Sequence, residues 1–139
     1  MRSLALAQAW KKRGCVIFIT NCENESLRDR ITDEGFELVS IKESYPDPVD
    51  FETTVSTINH LPSTKPWVVL DGYHFDTDYQ QSIKNNGNPL LVIDDIAHLN
   101  HYAADIILNQ NINAEELSYS CEPETKLLLG TEYLLLRDE

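Results

Sequence analysis

Basic residues are scarce in this sequence: 11 Lys and Arg stand against 23 Asp and Glu, which leaves a formal net charge of −12. That charge would repel a phosphate backbone, so we expect no nucleic-acid partner. Glycine and proline are also few, at 5 and 6 residues. Together with a hydrophobic content of 42%, this excludes a disordered, collagenous or low-complexity chain. The composition predicts an acidic, globular protein.

Long apolar runs and paired cysteines are missing as well. No run approaches the length of a membrane span, and Gln8, Lys11 and Lys12 interrupt the N-terminal segment too early for a signal peptide. We therefore expect no membrane partner and a cytoplasmic location. The three cysteines, Cys15, Cys22 and Cys121, form neither an even set nor a CxxC pair. They are expected to be reduced thiols, with Cys15 in the core and no disulfide framework or cysteine zinc site.

Short apolar runs alternate with helical segments along the chain. The runs that read as strands are Cys15–Thr20, Phe36–Ile41, Pro66–Asp71, Leu90–Ile93, Asp105–Asn109 and Lys126–Gly130. Most of them follow a segment with helical spacing. A length of 139 residues suits one domain, so residues 1–139 are predicted to form a single α/β domain with a Rossmann-like, doubly wound, mostly parallel sheet.

Helix boundaries are predicted from capping residues. Gly14 is expected to end a first helix over Leu4–Arg13, and Asn24 or Ser26 to cap a second. Further helices are predicted from Asp50 to before Pro62 and over Phe75–Asn86. The spacing of Asn113 and Glu116 is that of a capping box for a short helix.

Three of the predicted strands end in polar residues, and these are the first candidates for a site. The polar endings are Asp71-Gly72-Tyr73-His74, Asp94-Asp95 and Asn109-Gln110-Asn111. In open α/β sheets ligands bind outside the carboxyl ends of the strands, so we expect Asp71, Tyr73, Asp94 and Asn109 along one edge. Their convergence would suit a hydroxyl-rich ligand. Asp and Asn also favour strand ends and helix caps, which leaves a purely structural role open for each of them.

Other chemistry-bearing residues have simpler interpretations. His98 and His101 could be drawn as metal ligands downstream of Asp94 and Asp95, but their spacing equally suits a polar loop. Trp10 and Trp67 are expected in the core. No GxSxG, P-loop, GxGxxG or HExxH motif is present, so the common hydrolase and nucleotide signatures are absent.

Three blocks of the sequence carry a resemblance to a known family. They are Asp71-Gly72-Tyr73-His74-Phe75-Asp76, Leu91-Val92-Ile93-Asp94-Asp95-Ile96-Ala97-His98 and Asp105-Ile106-Ile107-Leu108-Asn109-Gln110-Asn111. With them the chain resembles the SpsG/PseG-type UDP-sugar hydrolases of pseudaminic acid and spore coat polysaccharide biosynthesis, which are similar in fold to the MurG glycosyltransferases. The similarity extends from Met1-Arg2-Ser3 to the closing Leu135-Leu136-Arg137.

The resemblance implies an activity and the residues that serve it. The family cleaves UDP from UDP-2,4-diacetamido-2,4,6-trideoxy-β-L-altropyranose by inverting attack of water, with neither metal nor cofactor. Tyr73 matches an active-site tyrosine, implied to position the sugar or the water. Asp71, Asp94, Asp95 and Asn109 are implied either to contact sugar hydroxyls or to hold the loops. The UDP-sugar is the partner implied for the full-length enzyme.

The sequence also departs from the family pattern. Family members begin with a strand and a Gly-His pair, whose histidine is the implied general base, and they continue into a second domain that binds UDP. Neither feature is recognised here, so the chain resembles the N-terminal half of a GT-B-type fold without its first strand. The chain alone is then expected to lack hydrolase activity. A non-catalytic acidic interaction module, or a receiver-like signalling module, remains the alternative function.

A missing first strand has a structural consequence. In a Rossmann sheet that strand is central, so the strands Cys15–Thr20 and Trp67–Asp71 would each have an unpaired edge. We expect these two strands to pair directly, or a neighbouring chain in an oligomer to fill the gap.

Overall fold

The computed structural model describes residues 2–62 and 65–137, which form two compact units. The first unit comprises residues 1–54 with 135–139, and the second comprises residues 55–134. Met1, at the start of the family resemblance, lies outside the described residues. None of the described helices is long and apolar enough to cross a membrane.

Four helices and six strands alternate through most of the described residues. In order they are α1 (Arg2–Trp10), β1 (Ile17–Thr20), α2 (Glu25–Asp33), β2 (Glu37–Ser40), α3 (Pro48–Asn59), β3 (Val68–Asp71), α4 (Thr77–Asn85), β4 (Leu90–Ile93), β5 (Ile106–Asn109) and β6 (Lys126–Leu129). Single turns of 3-10 helix follow β5 at Ala114–Glu116 and β6 at Thr131–Tyr133.

The first unit is built on a parallel pair of strands. Strand β1 pairs with β2 in the register Ile17 to Glu37. Asn24 begins α2, where its side-chain oxygen accepts a hydrogen bond from the Leu27 N–H at 3.2 Å. A small apolar core joins α1, α2 and the strands; its members are Leu4, Ala7, Ile31 and Phe36, with Val16, Phe18 and Leu38 packed against them.

The second unit contains a four-stranded sheet in the order β3-β4-β5-β6, with every neighbouring pair parallel. Its core includes Ile83 of α4, Leu90 of β4 and Ile107 of β5, all fully buried. The connection from β4 to β5 contains no helix, as the sequence predicts. It is tied to α4 by the buried Gln80 side chain, whose oxygen accepts from the Ala103 N–H at 2.9 Å.

The fold class predicted from the sequence is confirmed: the chain is α/β, with parallel strands and intervening helices in the manner of a Rossmann-like doubly wound fold. The predicted direct pairing of the first and third strands is wrong. Strand β1 pairs with β2 and β3 pairs with β4, in separate sheets of the described residues. The burial pattern agrees with this position: exposed and buried residues alternate along β3, and Val69 is 40% exposed. A strand buried on both faces is apolar and buried throughout, whereas β3 has the alternation of an outer strand.

Several local predictions are corrected. Cys15, Trp10 and Trp67 are exposed instead of belonging to the core. Trp10 is the last residue of α1, and Cys15 and Trp67 precede the four-residue strands β1 and β3, so all three lie at or beyond the ends of their elements. Asn113 does not form a capping box: it has a positive φ of 65° and no side-chain capping bond.

Candidate functional site at the carboxyl edge of the second sheet

The carboxyl ends of three neighbouring strands bring the predicted site residues to one edge. Asp71 ends β3, Asp94 directly follows β4, and Asn109 ends β5. Because β3, β4 and β5 are parallel and adjacent, these residues share an edge with Tyr73, which follows Asp71 by two positions. The prediction of a common edge is confirmed.

Asp94 is the buried centre of this edge, with no exposed surface. Its Oδ1 accepts from the backbone N–H groups of Ile96 at 3.0 Å and Ala97 at 2.7 Å. Its Oδ2 lies 2.7 Å from the Tyr102 hydroxyl, which donates to it, and 2.7 Å from Nδ1 of His98. Asp94 therefore fixes the loop that follows β4 to residues further along the chain.

The pKa of Asp94 reflects two opposed effects. Burial raises the pKa of the carboxyl, while hydrogen bonds from Tyr102, Ala97, Ile96 and His98 lower it, and the net result is a pKa below the ordinary value of 3.8. Asp94 is therefore ionised at neutral pH. A buried anion with this many donors acts as an anchor, and its burial does not favour the receiver-like alternative, which needs an accessible acidic pair.

The anchor imposes an unusual backbone conformation. Ala97 has a positive φ of 50°, which places its N–H and that of Ile96 on the same carboxylate oxygen. A left-handed conformation costs an L-residue about 1 to 2 kcal/mol relative to the right-handed one. Its presence here indicates that the bonds to Asp94 determine the shape of this loop.

Two tyrosines, Tyr102 and Tyr119, donate hydrogen bonds to Asp94. We call Asp94, Asn109 and these two tyrosines the buried layer. The Tyr119 hydroxyl donates to Asp94 and accepts from the Asn109 side-chain amide at 3.0 Å. Burial raises the pKa of Tyr119 to about 12, and the nearby Asp94 charge adds to this effect. Burial and Asp94 also raise the pKa of Tyr102. Both hydroxyls therefore keep their protons and act as donors.

Asn109 belongs to this buried layer and has no exposed surface. Its side-chain oxygen accepts from the Asn111 N–H at 3.1 Å, and its amide donates to Tyr119. Asp94 and Asn109 were expected either to contact sugar hydroxyls or to hold the loops. Their hydrogen bonds in the structure hold the loops.

Asp95, in contrast, faces a partly exposed network. Its Oδ2 accepts from the Tyr73 hydroxyl at 2.9 Å, and its Oδ1 accepts from the Asn111 side-chain amide at 3.0 Å. These three residues follow β3, β4 and β5, one from each strand. Tyr73 is 51% exposed. We call Tyr73, Asp95 and Asn111 the outer network; its polar atoms are arranged at the surface, where a ligand can reach them.

Apolar side chains border the outer network. Ile96 follows Asp95, Ile112 follows Asn111, and both are exposed. The edge thus combines a phenol, a carboxylate and an amide with exposed methyl groups, a mixture that suits a ligand with both hydroxyl and apolar substituents. Asp71 is an exposed residue at the end of β3.

The two histidines considered as metal ligands have different partners. His98 bonds to Asp94, whereas His101 lies 3.3 Å from the Ser120 hydroxyl through Nδ1 and 3.3 Å from Glu122 through Nε2. Within residues 2–62 and 65–137, no group of three or more His, Cys, Asp or Glu side chains is arranged to hold a metal ion.

Sequence reasoning missed three residues of the site: His98 as the partner of Asp94, and Tyr102 and Tyr119 as its donors. The one available signal was Asp94 itself, because a carboxylate following a strand of four apolar residues needs donors when it is buried. Which side chains supply them is decided by the path of the β4–β5 and β5–β6 connections.

Comparison of the sequence with protein-family models and with curated proteins gave no match. The resemblance to the UDP-sugar hydrolases rests on the sequence motifs alone.

Proposed function

We propose that the chain is the sugar-binding half of a nucleotide-sugar hydrolase, which removes UDP from a diacetamido-trideoxy-hexose with inversion in surface polysaccharide biosynthesis. The observation that carries this proposal is the outer network. Tyr73, the residue that matches the family tyrosine, stands half-exposed at the carboxyl edge with its hydroxyl 2.9 Å from Asp95. This is the part of an open α/β sheet where ligands bind.

The Tyr73 hydroxyl has the right hydrogen-bonding capacity for such a role. It donates its proton to Asp95, and a phenolic oxygen can also accept a hydrogen bond, as contact with a sugar hydroxyl or with the attacking water requires. In the proposed reaction the water oxygen bonds to the anomeric carbon while the bond to UDP breaks. The UDP oxygen takes the electron pair and a base takes the water proton. The resemblance places that base in a Gly-His pair, which none of the five glycines of this sequence provides.

Charge favours the sugar over the diphosphate at this edge. Asp94 and Asp95 are consecutive, and the whole chain has a formal net charge of −12. A neutral sugar meets no electrostatic penalty here, whereas a diphosphate would be repelled. We therefore assign the sugar to this chain, and the nucleotide to the second domain that members of the family possess.

Binding of sugar and of nucleotide by the full chain tests the proposal. Amide spectra of the ¹⁵N-labelled protein are recorded with the free 2,4-diacetamido-2,4,6-trideoxyhexose, and separately with UDP. The sugar should shift the amides of Tyr73, Ile96 and Asn111, and UDP alone should leave them in place. No shift with the sugar, or the same shifts with UDP, would contradict the proposal.

Variants of the aromatic residues on either side of β3 provide the test and its control. Tyr73→Phe removes the hydroxyl and should weaken sugar binding by about two- to tenfold, the value of one hydrogen bond. Trp67→Phe changes another exposed aromatic residue, at the opposite end of the same strand, and should leave binding unchanged. Neither the chain nor its variants should release UDP from the UDP-sugar above the uncatalysed rate.

A further inference from the structure

His98 connects the buried layer to the outer network. Its Nδ1 lies 2.7 Å from Asp94 Oδ2, and its Nε2 lies 3.1 Å from the backbone carbonyl oxygen of Tyr73. A carbonyl oxygen and an ionised carboxylate only accept hydrogen bonds. Both contacts can therefore be hydrogen bonds only when each ring nitrogen carries a proton.

The two ends of this connection differ in burial and in the number of hydrogen bonds that hold them. Asp94 is fully buried and is held by Ile96, Ala97 and Tyr102 as well as by His98. Tyr73 is half-exposed, and the His98 side chain between them is 21% exposed. The rings of Tyr73 and His98 also meet edge to face, with centroids 5.5 Å apart. A fixed anchor thus contacts an accessible loop through one imidazole.

We propose that His98 is a positioning residue for Tyr73, and that its doubly protonated form ties the Tyr73 carbonyl to the buried Asp94. Loss of one proton leaves a single bond. The neutral ring keeps its bond to Asp94, because a hydrogen bond to a charged partner is roughly twice as strong as one to a neutral carbonyl. The loop that carries Tyr73 is then released, while the buried layer stays intact.

The groups that surround His98 are consistent with this preference. Asp94 supplies the negative charge, and the Tyr102 hydroxyl lies 3.4 Å from Nδ1. Tyr73 faces the ring from the β3–α4 loop, and its hydroxyl contacts the second carboxylate, Asp95. Tyr119 contacts Asp94 from the β5–β6 connection. Among these groups the Asp94 carboxylate is the charged one in direct contact with the ring, which is why a neutral ring keeps that bond.

The tie can be measured without any ligand. In the ¹⁵N- and ¹³C-labelled full chain, the ring nitrogens of His98 and the carbonyl carbon of Tyr73 are followed from about pH 5 to about pH 8, the range in which imidazoles change charge. At the acid end both ring nitrogens should show the shifts of protonated nitrogen. The Tyr73 carbonyl shift should then change with the midpoint of the His98 nitrogens. An unprotonated Nε2 throughout, or a carbonyl that does not follow His98, would overturn the proposal.

Two substitutions separate the ends of the tie. The amide nitrogen of asparagine in His98→Asn takes the place of Nδ1 and keeps the donor to Asp94, but does not reach Tyr73. The longer glutamine in His98→Gln places its amide near Nε2. Both variants retain His74, which follows Tyr73 in the chain, so any effect of His74 on the Tyr73 carbonyl shift is common to the variants and the wild type. The Asn variant should hold the Tyr73 carbonyl in its released state at every pH, and the Gln variant in its tied state. If the Tyr73 carbonyl shift of His98→Asn changed with pH as it does in the wild type, that result would contradict the tie.

The consequence for sugar binding rests on the proposed function. If Tyr73 positions the sugar, His98→Asn should weaken sugar binding by about two- to tenfold at the acid end and abolish its pH dependence. His98→Gln should restore the stronger binding, and its binding should not depend on pH. The two proposals fail separately: absence of sugar binding with an intact carbonyl titration refutes the function alone, whereas sugar binding without that titration refutes the tie.

Discussion

Removal of the Tyr102 hydroxyl should destabilise the second unit by about 2 to 3 kcal/mol. In Tyr102→Phe the ionised Asp94 loses a fully buried donor at 2.7 Å, and hydrogen bonds to charged groups contribute about 1.5 to 3 kcal/mol. The Leu99 N–H, which donates to the same hydroxyl over 3.3 Å, loses its acceptor as well. The ring remains, so no cavity is formed beyond the size of one oxygen.

The same chemical change at two other tyrosines provides a graded comparison. Tyr119→Phe removes a donor that reaches Asp94 only at 3.2 Å, and should cost about 1 to 2 kcal/mol. Tyr73→Phe removes a half-exposed hydroxyl and should cost less than about 0.5 kcal/mol. Urea unfolding is followed by the fluorescence of Trp67, which lies in the second unit, with Trp10 of the first unit replaced by phenylalanine in every variant.

The order of the three losses is the decisive result. Equal midpoints and slopes for Tyr102→Phe and Tyr73→Phe would show that Asp94 does not depend on the buried donor, and the interpretation of Asp94 as the anchor of this edge would be wrong. A changed slope in urea would instead indicate altered compactness of the unfolded state.

The remaining predictions concern pH, backbone strain and one ion pair. Because the pKa of Asp94 is lowered in the folded protein, its contribution to stability is complete above about pH 4 and is lost as the pH falls below it; urea unfolding between about pH 4 and about pH 2 should show a steeper loss in the wild type than in Asp94→Asn. The pKa of Tyr119 is raised to about 12, so stability should be constant below about pH 10 and fall as the pH rises further; ultraviolet titration of Tyr119→Phe should lack the tyrosine that ionises near pH 12. Ala97→Gly should be neutral or stabilise by up to about 1 kcal/mol in thermal unfolding, since glycine adopts a φ of 50° without strain, and a loss of more than that amount would refute the strain argument. Asp105→Ala should cost more than Lys84→Ala, because the Asp105 carboxylate accepts from a backbone N–H of β4 at 2.7 Å as well as from Lys84, while the partly exposed ion pair alone contributes less than about 1 kcal/mol; equal losses in urea would contradict this order.

Much of the architecture could be predicted because it depends on local pattern. The apolar runs at Leu90–Ile93 and Ile106–Asn109 identify strands by composition and length alone. Asn24 precedes a helix and caps it through a side-chain oxygen, as expected, whereas Asp76 caps α4 one position inside the helix predicted to begin at Phe75. The shared carboxyl edge follows from parallel pairing, so the approximate place of the site was also predictable.

Pairing between distant strands and the burial of single side chains could not be predicted in the same way. The run around Val68 is apolar enough to suggest a central strand, yet its alternation of burial is that of an outer strand. Trp67 illustrates the same limit: aromatic character favours burial on average, but the side chain lies just outside a strand of four residues and remains exposed.

The sequence by itself determined most of the strands and helices and the polar residues that follow the strands of the second sheet, because each depends on neighbours within a few positions. Only the tertiary structure decided that two consecutive carboxylates have different surroundings. Asp94 receives donors from Tyr102 and Tyr119, 8 and 25 positions away, and Asp95 receives them from Tyr73 and Asn111. The physical reason is that a buried anion requires hydrogen-bond donors, and only the folded paths of three separate connections bring those donors within reach.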